Sequence, residues 1–168
     1  MAISLLRAAK RPDGNADIGE HQFRYAILPY LGTFSDQEAA ADGRLFNIPA
    51  EDTNPGTNSI PEEMSWFAIQ PERKTKGASG ILIDWVKTAE DGSGDLILRV
   101  YESMNAFESA VLITPLSVSS ACFCNALEES ETDIPLLSSN DDNTVIPLRL
   151  TPFSFRTIRF VRTRAKKN

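Results

Sequence analysis

Residues 80–102 read GILIDWVKTAEDGSGDLILRVYE. Two apolar, β-branched runs, Gly80 to Lys87 and Asp95 to Glu102, flank the acidic connector Glu90-Asp91-Gly92-Ser93-Gly94. Glycine in a short polar connector between two such runs predicts a β-hairpin. A lone hairpin cannot bury its apolar face, so further strands must cover it. Moving outward, Glu108 to Thr114, Val118 to Leu127, Thr144 to Leu150 and Phe153 to Val161 are strand candidates. Toward the N-terminus, Ile3 to Arg7 reads as a strand, Gln22 to Leu28 alternates until Pro29, and Ser65 to Gln70 ends at Pro71. Pro147 and Pro152 place their strands at a sheet edge or a bulge. Helical periodicity is not sustained anywhere; Asp36 to Asp42 supports one helical turn. Short, turn-separated strands of this kind predict an all-β fold, an antiparallel β-sandwich.

The 168 residues suit one domain spanning 1–168, with 42% apolar residues to build its core. Ala50 to Glu63, AEDTNPGTNSIPEE, reads as an exposed loop, Ser138 to Asn143 as a turn cluster, and 163–168 as a basic, frayed tail. Seventeen Lys+Arg against twenty-three Asp+Glu give a net charge of −6, which argues against nucleic acid as a partner. The charge is uneven: no acid follows Asp142, while Arg149, Arg156, Arg159, Arg162, Arg164, Lys166 and Lys167 do. That basic end is either a phosphate-contacting surface or a solvated last strand and tail. No run of about 18 apolar residues exists to cross a membrane, and the first residues do not form a secretory leader. Cys122 and Cys124 lie on one face of a strand candidate and read as buried free thiols, which fits the cytoplasm. A strand beginning almost at the first residue leaves an edge unmanaged, so the chain reads as a portion of something longer.

Candidate chemistry concentrates at Asp17-Ile18-Gly19-Glu20-His21. Two carboxylates and the one histidine suit a metal shared by Asp17 and His21 or acid–base work by Glu20; a structural loop with a bonded histidine uses the same residues. A catalytic zinc takes about three protein ligands, and neither HExxH nor CxxC occurs. No GxSxG elbow or glycine-rich phosphate cradle is present. Adjacent acid pairs such as Glu62/Glu63 and Glu128/Glu129 read as solvated turns, because a glycosidase needs carboxyls facing each other across a cleft. Trp66 and Trp85 either stack on a sugar or pack in the core; their place in strand runs favours the core.

By resemblance the chain says more. Ser4-Leu5-Leu6-Arg7, Pro12-Asp13 and Ala16-Asp17-Ile18-Gly19-Glu20-His21-Gln22-Phe23-Arg24-Tyr25-Ala26-Ile27 resemble a block of the C-terminal β-domains of glycoside hydrolase family 38 α-mannosidases. Val86-Lys87-Thr88-Ala89-Glu90-Asp91 with Leu98-Arg99-Val100-Tyr101-Glu102 is similar to that family's K-x-AED hairpin. Asn125-Ala126-Leu127-Glu128-Glu129 resembles its N-x-LEE segment, and Thr151 to Ile158 its closing strand. The four blocks occur in family order over essentially the whole chain.

The resemblance implies a supersandwich-like C-terminal β-domain, incomplete relative to an enzyme that hydrolyses terminal α-linked mannose from oligosaccharides with retention. Its zinc and aspartate nucleophile belong to an N-terminal catalytic barrel, so no zinc ligand, cofactor or catalytic residue is carried onto this chain. The implied partners are that barrel and a mannose-containing oligosaccharide. Asp17, Glu20 and His21 are the residues placed to bind substrate, either positioning sugar hydroxyls or docking the loop on the barrel. There are departures: Pro29 is followed by Tyr30 where the family has histidine, Ser154 replaces an acid, and Leu31 to Pro61 lacks the usual alternation. The rival is a stand-alone carbohydrate-binding or protein-interaction sandwich.

Overall fold

The computed structural model describes residues 2–9, 11–32, 39–48, 65–72, 79–138 and 143–162. The expected loop at 50–63 and the basic tail at 163–168 lie outside these residues. The chain divides into two units, Met1–Leu31 and Gly32–Asn168. The second carries the regular structure: helix α1 (Ala39–Asn47) and strands β1 (Ala68–Pro71), β2 (Ile81–Thr88), β3 (Leu96–Glu102), β4 (Glu108–Thr114), β5 (Val118–Cys124), β6 (Ser130–Ile134), β7 (Leu137–Ser138), β8 (Thr144–Leu150) and β9 (Phe155–Arg162).

Among the described residues all pairings are antiparallel, in a four-stranded sheet β1-β4-β8-β7 and a five-stranded sheet β2-β3-β9-β5-β6. The period of two decides what lies between them. Ala110 and Leu112 of β4 and Ile146, Leu148 and Leu150 of β8 come from one sheet. Ile81, Leu98, Val100, Ala121, Ile134, Ile158 and Phe160 come from the other. Each fully buried Leu, Ile or Phe contributes roughly 1.5–3 kcal/mol relative to exposure, and this cluster holds the sandwich closed.

The predicted hairpin forms as β2 and β3, paired from Ile81↔Glu102 to Thr88↔Leu96 with a bulge between Ile83 and Trp85. Its connector needs glycine: Gly92 and Gly94 have φ of 72° and 79°, where a Cβ is strained. A third strand pins this connector. Arg159 of β9 donates through Nη2 to Asp91 Oδ2 at 2.6 Å and to Ser93 Oγ at 3.1 Å, and through Nε and Nη2 to Asp95 Oδ2 at 3.0 and 2.7 Å. Nearby, Lys87 bonds Glu90 and lies 2.7 Å from Glu128 Oε1, while Glu128 Oε2 accepts the Glu90 N–H at 2.9 Å. The β5–β6 turn is thereby tied to β2.

The other end of the sandwich is knotted by two glutamates. Glu102, 1% exposed, accepts the Met104 N–H at 2.7 Å and the Phe153 N–H at 2.9 Å, and its own N–H donates to the Ser154 carbonyl at 2.9 Å. Glu108 accepts the Gly80 N–H at 2.9 Å. Phe153 is held at φ 53°, an unfavourable value for an aromatic residue, and the Glu102 bond helps fix it there. Pro71 closes edge strand β1, and Pro147 sits on β8 beyond the register positions paired by the two-residue β7. Pro152 falls in the β8–β9 turn rather than in a strand. On the free edge of β2, Arg44 of α1 bonds the Asp84 carbonyl and its Oδ1, covering backbone that would otherwise pair with another strand.

Two expectations fail. Ile3 to Arg7, read as a strand, and the alternating Gln22 to Leu28 form no ladder; no described residue of Met1–Leu31 is buried. Alternation supplies a face, and a strand also needs a hydrogen-bonding neighbour. Trp66 and Trp85 are also not core residues. Trp66 is exposed ahead of β1, and Trp85 faces away from the core under the Arg99 guanidinium at 4.6 Å.

Two outcomes are expected. Glu102→Ala leaves two backbone donors unmet at roughly 1–3 kcal/mol each, so the urea midpoint falls clearly, and Glu102→Gln falls less because one oxygen remains; an unchanged midpoint in Glu102→Ala contradicts the knot. Hydrogen bonds from Ser93 and Arg159 hold the Asp91 carboxyl below its usual 3.8, and those from Lys87 and Glu90 hold Glu128 below 4.5. Lowered folded values stabilise fully above the ordinary ones and lose that contribution as pH falls through the depressed range. Urea midpoints taken from pH 6 downward therefore drop below about pH 4.5, and the drop is smaller in Lys87→Met.

Candidate functional site

The loop singled out in the sequence is built within Met1–Leu31. Asp13 starts it with a side-chain turn, Oδ1 accepting the Asn15 N–H at 2.9 Å. The Ala16 N–H bonds the Asp13 carbonyl and the Ile18 N–H the Asn15 carbonyl, both at 3.3 Å. Asp17 then takes φ 59°, in the left-handed region that aspartate tolerates better than most residues. This brings its carbonyl to the histidine four residues on: His21 Nε2 donates to Asp17 O at 2.9 Å. With Nε2 carrying the proton, Nδ1 of the neutral ring is left as an acceptor. The ring stacks on Phe23 with centroids 6.1 Å apart and 19° between planes.

Asp17, Glu20 and His21 are all exposed, and the structure joins Asp17 to His21 through backbone rather than carboxylate. Neither the Asp17 nor the Glu20 carboxylate has a hydrogen-bond partner among the described residues. Exposed carboxylates on a bonded turn can accept hydrogen bonds from hydroxyls. With His21 they fall short of a zinc site, because the described residues contain no group of three or more His, Cys, Asp or Glu arranged to hold a metal ion. Cys122 and Cys124 offer little chemistry. Both are free and buried; Cys122 Sγ donates to Ser130 Oγ at 3.3 Å and Cys124 Sγ to the Thr157 carbonyl at 3.7 Å. Burial pushes the Cys124 thiol up to about 11, so it stays protonated at neutral pH.

Sequence reasoning missed a second feature, in the sandwich itself. A groove of about 720 Å³ runs beside the β5–β6 and β8–β9 turns, lined among others by Glu131, Arg149, Phe153, Phe155 and Arg156. Arg156 lies over the Phe123 ring at 5.9 Å, and Phe155 also stacks under Arg99 at 5.1 Å. The signal was present in the acid-free stretch after Asp142, but only the turn geometry reveals which arginines converge.

Comparison with known proteins fits this architecture. The family described as "Glycosyl hydrolases family 38 C-terminal beta sandwich domain" matches residues 80–158, which run from the start of β2 into β9. Alpha-mannosidase G of Dictyostelium discoideum is 30% identical over 165 residues, covering 96% of this chain and 14% of that protein. Alpha-mannosidase 2C1 of Mus musculus is 31% identical over 170 residues, covering 96% and 15%. Alpha-mannosidase of Saccharomyces cerevisiae is 25% identical over 175 residues, covering 95% and 15%. The chain thus spans only 14–15% of the length of these relatives. The two-sheet sandwich of this chain belongs to the glycosyl hydrolase family 38 C-terminal β-sandwich domains.

Proposed function

We propose that this chain is the C-terminal portion of a cytoplasmic α-mannosidase that removes terminal α-linked mannose from oligosaccharides. The observation that carries this reading is the pattern of coverage: proteins named as α-mannosidases align with 96% of this chain, which makes up 14–15% of their length. The reaction centre, with its zinc and nucleophile, is then assigned to an N-terminal barrel in the rest of the longer protein. This chain packs against that barrel and closes one wall of the mannose cleft. No helix among the described residues is long and apolar enough to cross a membrane.

Asp17 and Glu20 are the groups assigned to substrate. Their carboxylates accept from vicinal hydroxyls of the sugar, a geometry that orients the ring without acid–base chemistry. The His21 bond to the Asp17 carbonyl keeps the turn in register, so both carboxylates are presented from one fixed loop. Apolar side chains flank them, Ile18 at 76% and Tyr25 at 65% exposure within this chain, which suits burial against the proposed barrel.

The test is a chimera in which this chain replaces the aligned segment of Alpha-mannosidase G. The chimera is expected to cleave an aryl α-mannoside. Asp17→Asn or Glu20→Gln raises KM roughly 10-fold or more, the effect of losing a hydrogen bond to a charged group. His21→Ala acts in the same direction through a loosened turn. A soluble chimera without activity, or one whose KM ignores all three substitutions, sinks the assignment. The exposed Trp66 favours a second reading, a stand-alone carbohydrate-binding sandwich; saturable quenching of its fluorescence by mannose in the isolated chain would support that instead.

A further inference from the structure

We propose that the groove beside the β5–β6 and β8–β9 turns binds an oxyanion carried on a sugar ring, a phosphate monoester or a carboxylate. The anion part stands on the arginines alone; the sugar part rests on the mannosidase reading above.

Acids outnumber bases by 23 to 17 in this chain, and among the described cations Arg44, Lys87 and Arg159 each meet a carboxylate. Arg149 and Arg156 line the groove with no carboxylate partner among the described residues. Arg99 adjoins them through Phe155 and is likewise without one: its Nε donates to Thr157 Oγ1 at 3.3 Å, and its guanidinium is stacked on Trp85 and Phe155. The acids close by are mostly engaged: Glu102 and Glu108 accept backbone N–H groups, Glu128 pairs with Lys87, and Glu129 Oε2 accepts from Asn125. Glu131 is the one carboxylate lining the groove. It meets neither arginine within ion-pair distance and is free to accept sugar hydroxyls.

Guanidinium forks match the paired oxygens of phosphate and carboxylate. Aromatic rings supply an apolar face for the C–H side of a sugar, and Phe153 and Phe155 stand at the groove with 68% and 54% exposure. Phe153 is not there by default. Its positive φ is fixed by the Glu102 bond and by the closed Thr151–Ser154 turn, in which Ser154 Oγ accepts the Thr151 N–H at 3.0 Å and donates to the Thr151 carbonyl at 2.7 Å. A strained aromatic residue held by several bonds at a groove mouth is a pattern met at ligand sites. The volume of about 720 Å³ lies inside the roughly 300–1,000 Å³ of small-molecule sites.

The test titrates the 168-residue chain with a hexose 6-phosphate, glucuronate, the neutral hexose and inorganic phosphate, followed by amide chemical shifts. The charged hexoses are expected to saturate and to bind at least about 10-fold tighter than the neutral one. Arg156→Gln and Arg149→Gln each weaken them by a similar factor, with melting temperatures unchanged because both side chains are exposed. Phe153→Ala weakens the hexose phosphate and leaves inorganic phosphate unaffected. Inorganic phosphate binding as tightly as the hexose phosphate overturns the sugar assignment. Equal binding of the neutral hexose, undiminished binding in the double arginine variant, or no saturation below roughly 10 mM overturns the site. None of these readouts uses mannosidase turnover, so failure here and failure of the chimera are separate results.

Discussion

The constraint on which the rest depends is that two sheets, each apolar on one face, must close on one another. Leu98, Val100, Ile158 and Phe160 from one sheet and Leu112, Ile146 and Leu148 from the other are 0% exposed. Side chains of that kind leave the space between the sheets dry and filled with groups that do no chemistry. Polar chemistry is displaced to the ends of the sandwich, its outer faces and its loops. The candidate sites follow that rule: the bonded turn at Asp17–His21 and the arginine-lined groove both lie on exposed chain.

The two ends of the sandwich are fixed by different physics. At one, the hairpin connector is held by charge, with Arg159 joining Asp91 and Asp95 across more than 60 positions of sequence. At the other, Glu102 and Glu108 accept backbone N–H groups in a partly buried setting, where unmet donors are costly. The second knot also sets the β8–β9 turn and the backbone of Phe153, so one buried carboxylate links the core to the groove. Fold and candidate ligand site therefore share a residue that touches no ligand.

Much of this was legible in the sequence, unevenly. The β2–β3 hairpin, β4 and β8 stand where alternation and turn residues put them, because both local signals agree. β6 was missed: Ser130-Glu131-Thr132-Asp133 is exposed throughout, so no apolar period marks it, and only pairing with β5 makes it a strand. The sequence supports one helical turn at Asp36–Asp42, of which 36–38 lie outside the described residues; helix α1 runs Ala39–Asn47, with no buried residue to imprint a helical stripe. Gln22–Leu28 shows the opposite failure, a clear alternation without a partner strand. At the candidate site, clustered residue types pointed to Asp17, Glu20 and His21, but the backbone bond from His21 to Asp17 has no sequence signature. The groove arginines were visible only as a basic C-terminal trend, since convergence across β8 and β9 is a property of the turn.

On the proposed reading, the reaction centre lies in the rest of a longer protein and not in this sandwich. The most direct measurement is turnover of an aryl α-mannoside by the purified 168-residue chain supplied with zinc. The expected rate is indistinguishable from that of buffer. Hydrolysis that disappears with a chelator and returns with zinc would contradict it, because the described residues assemble no donor set for such an ion.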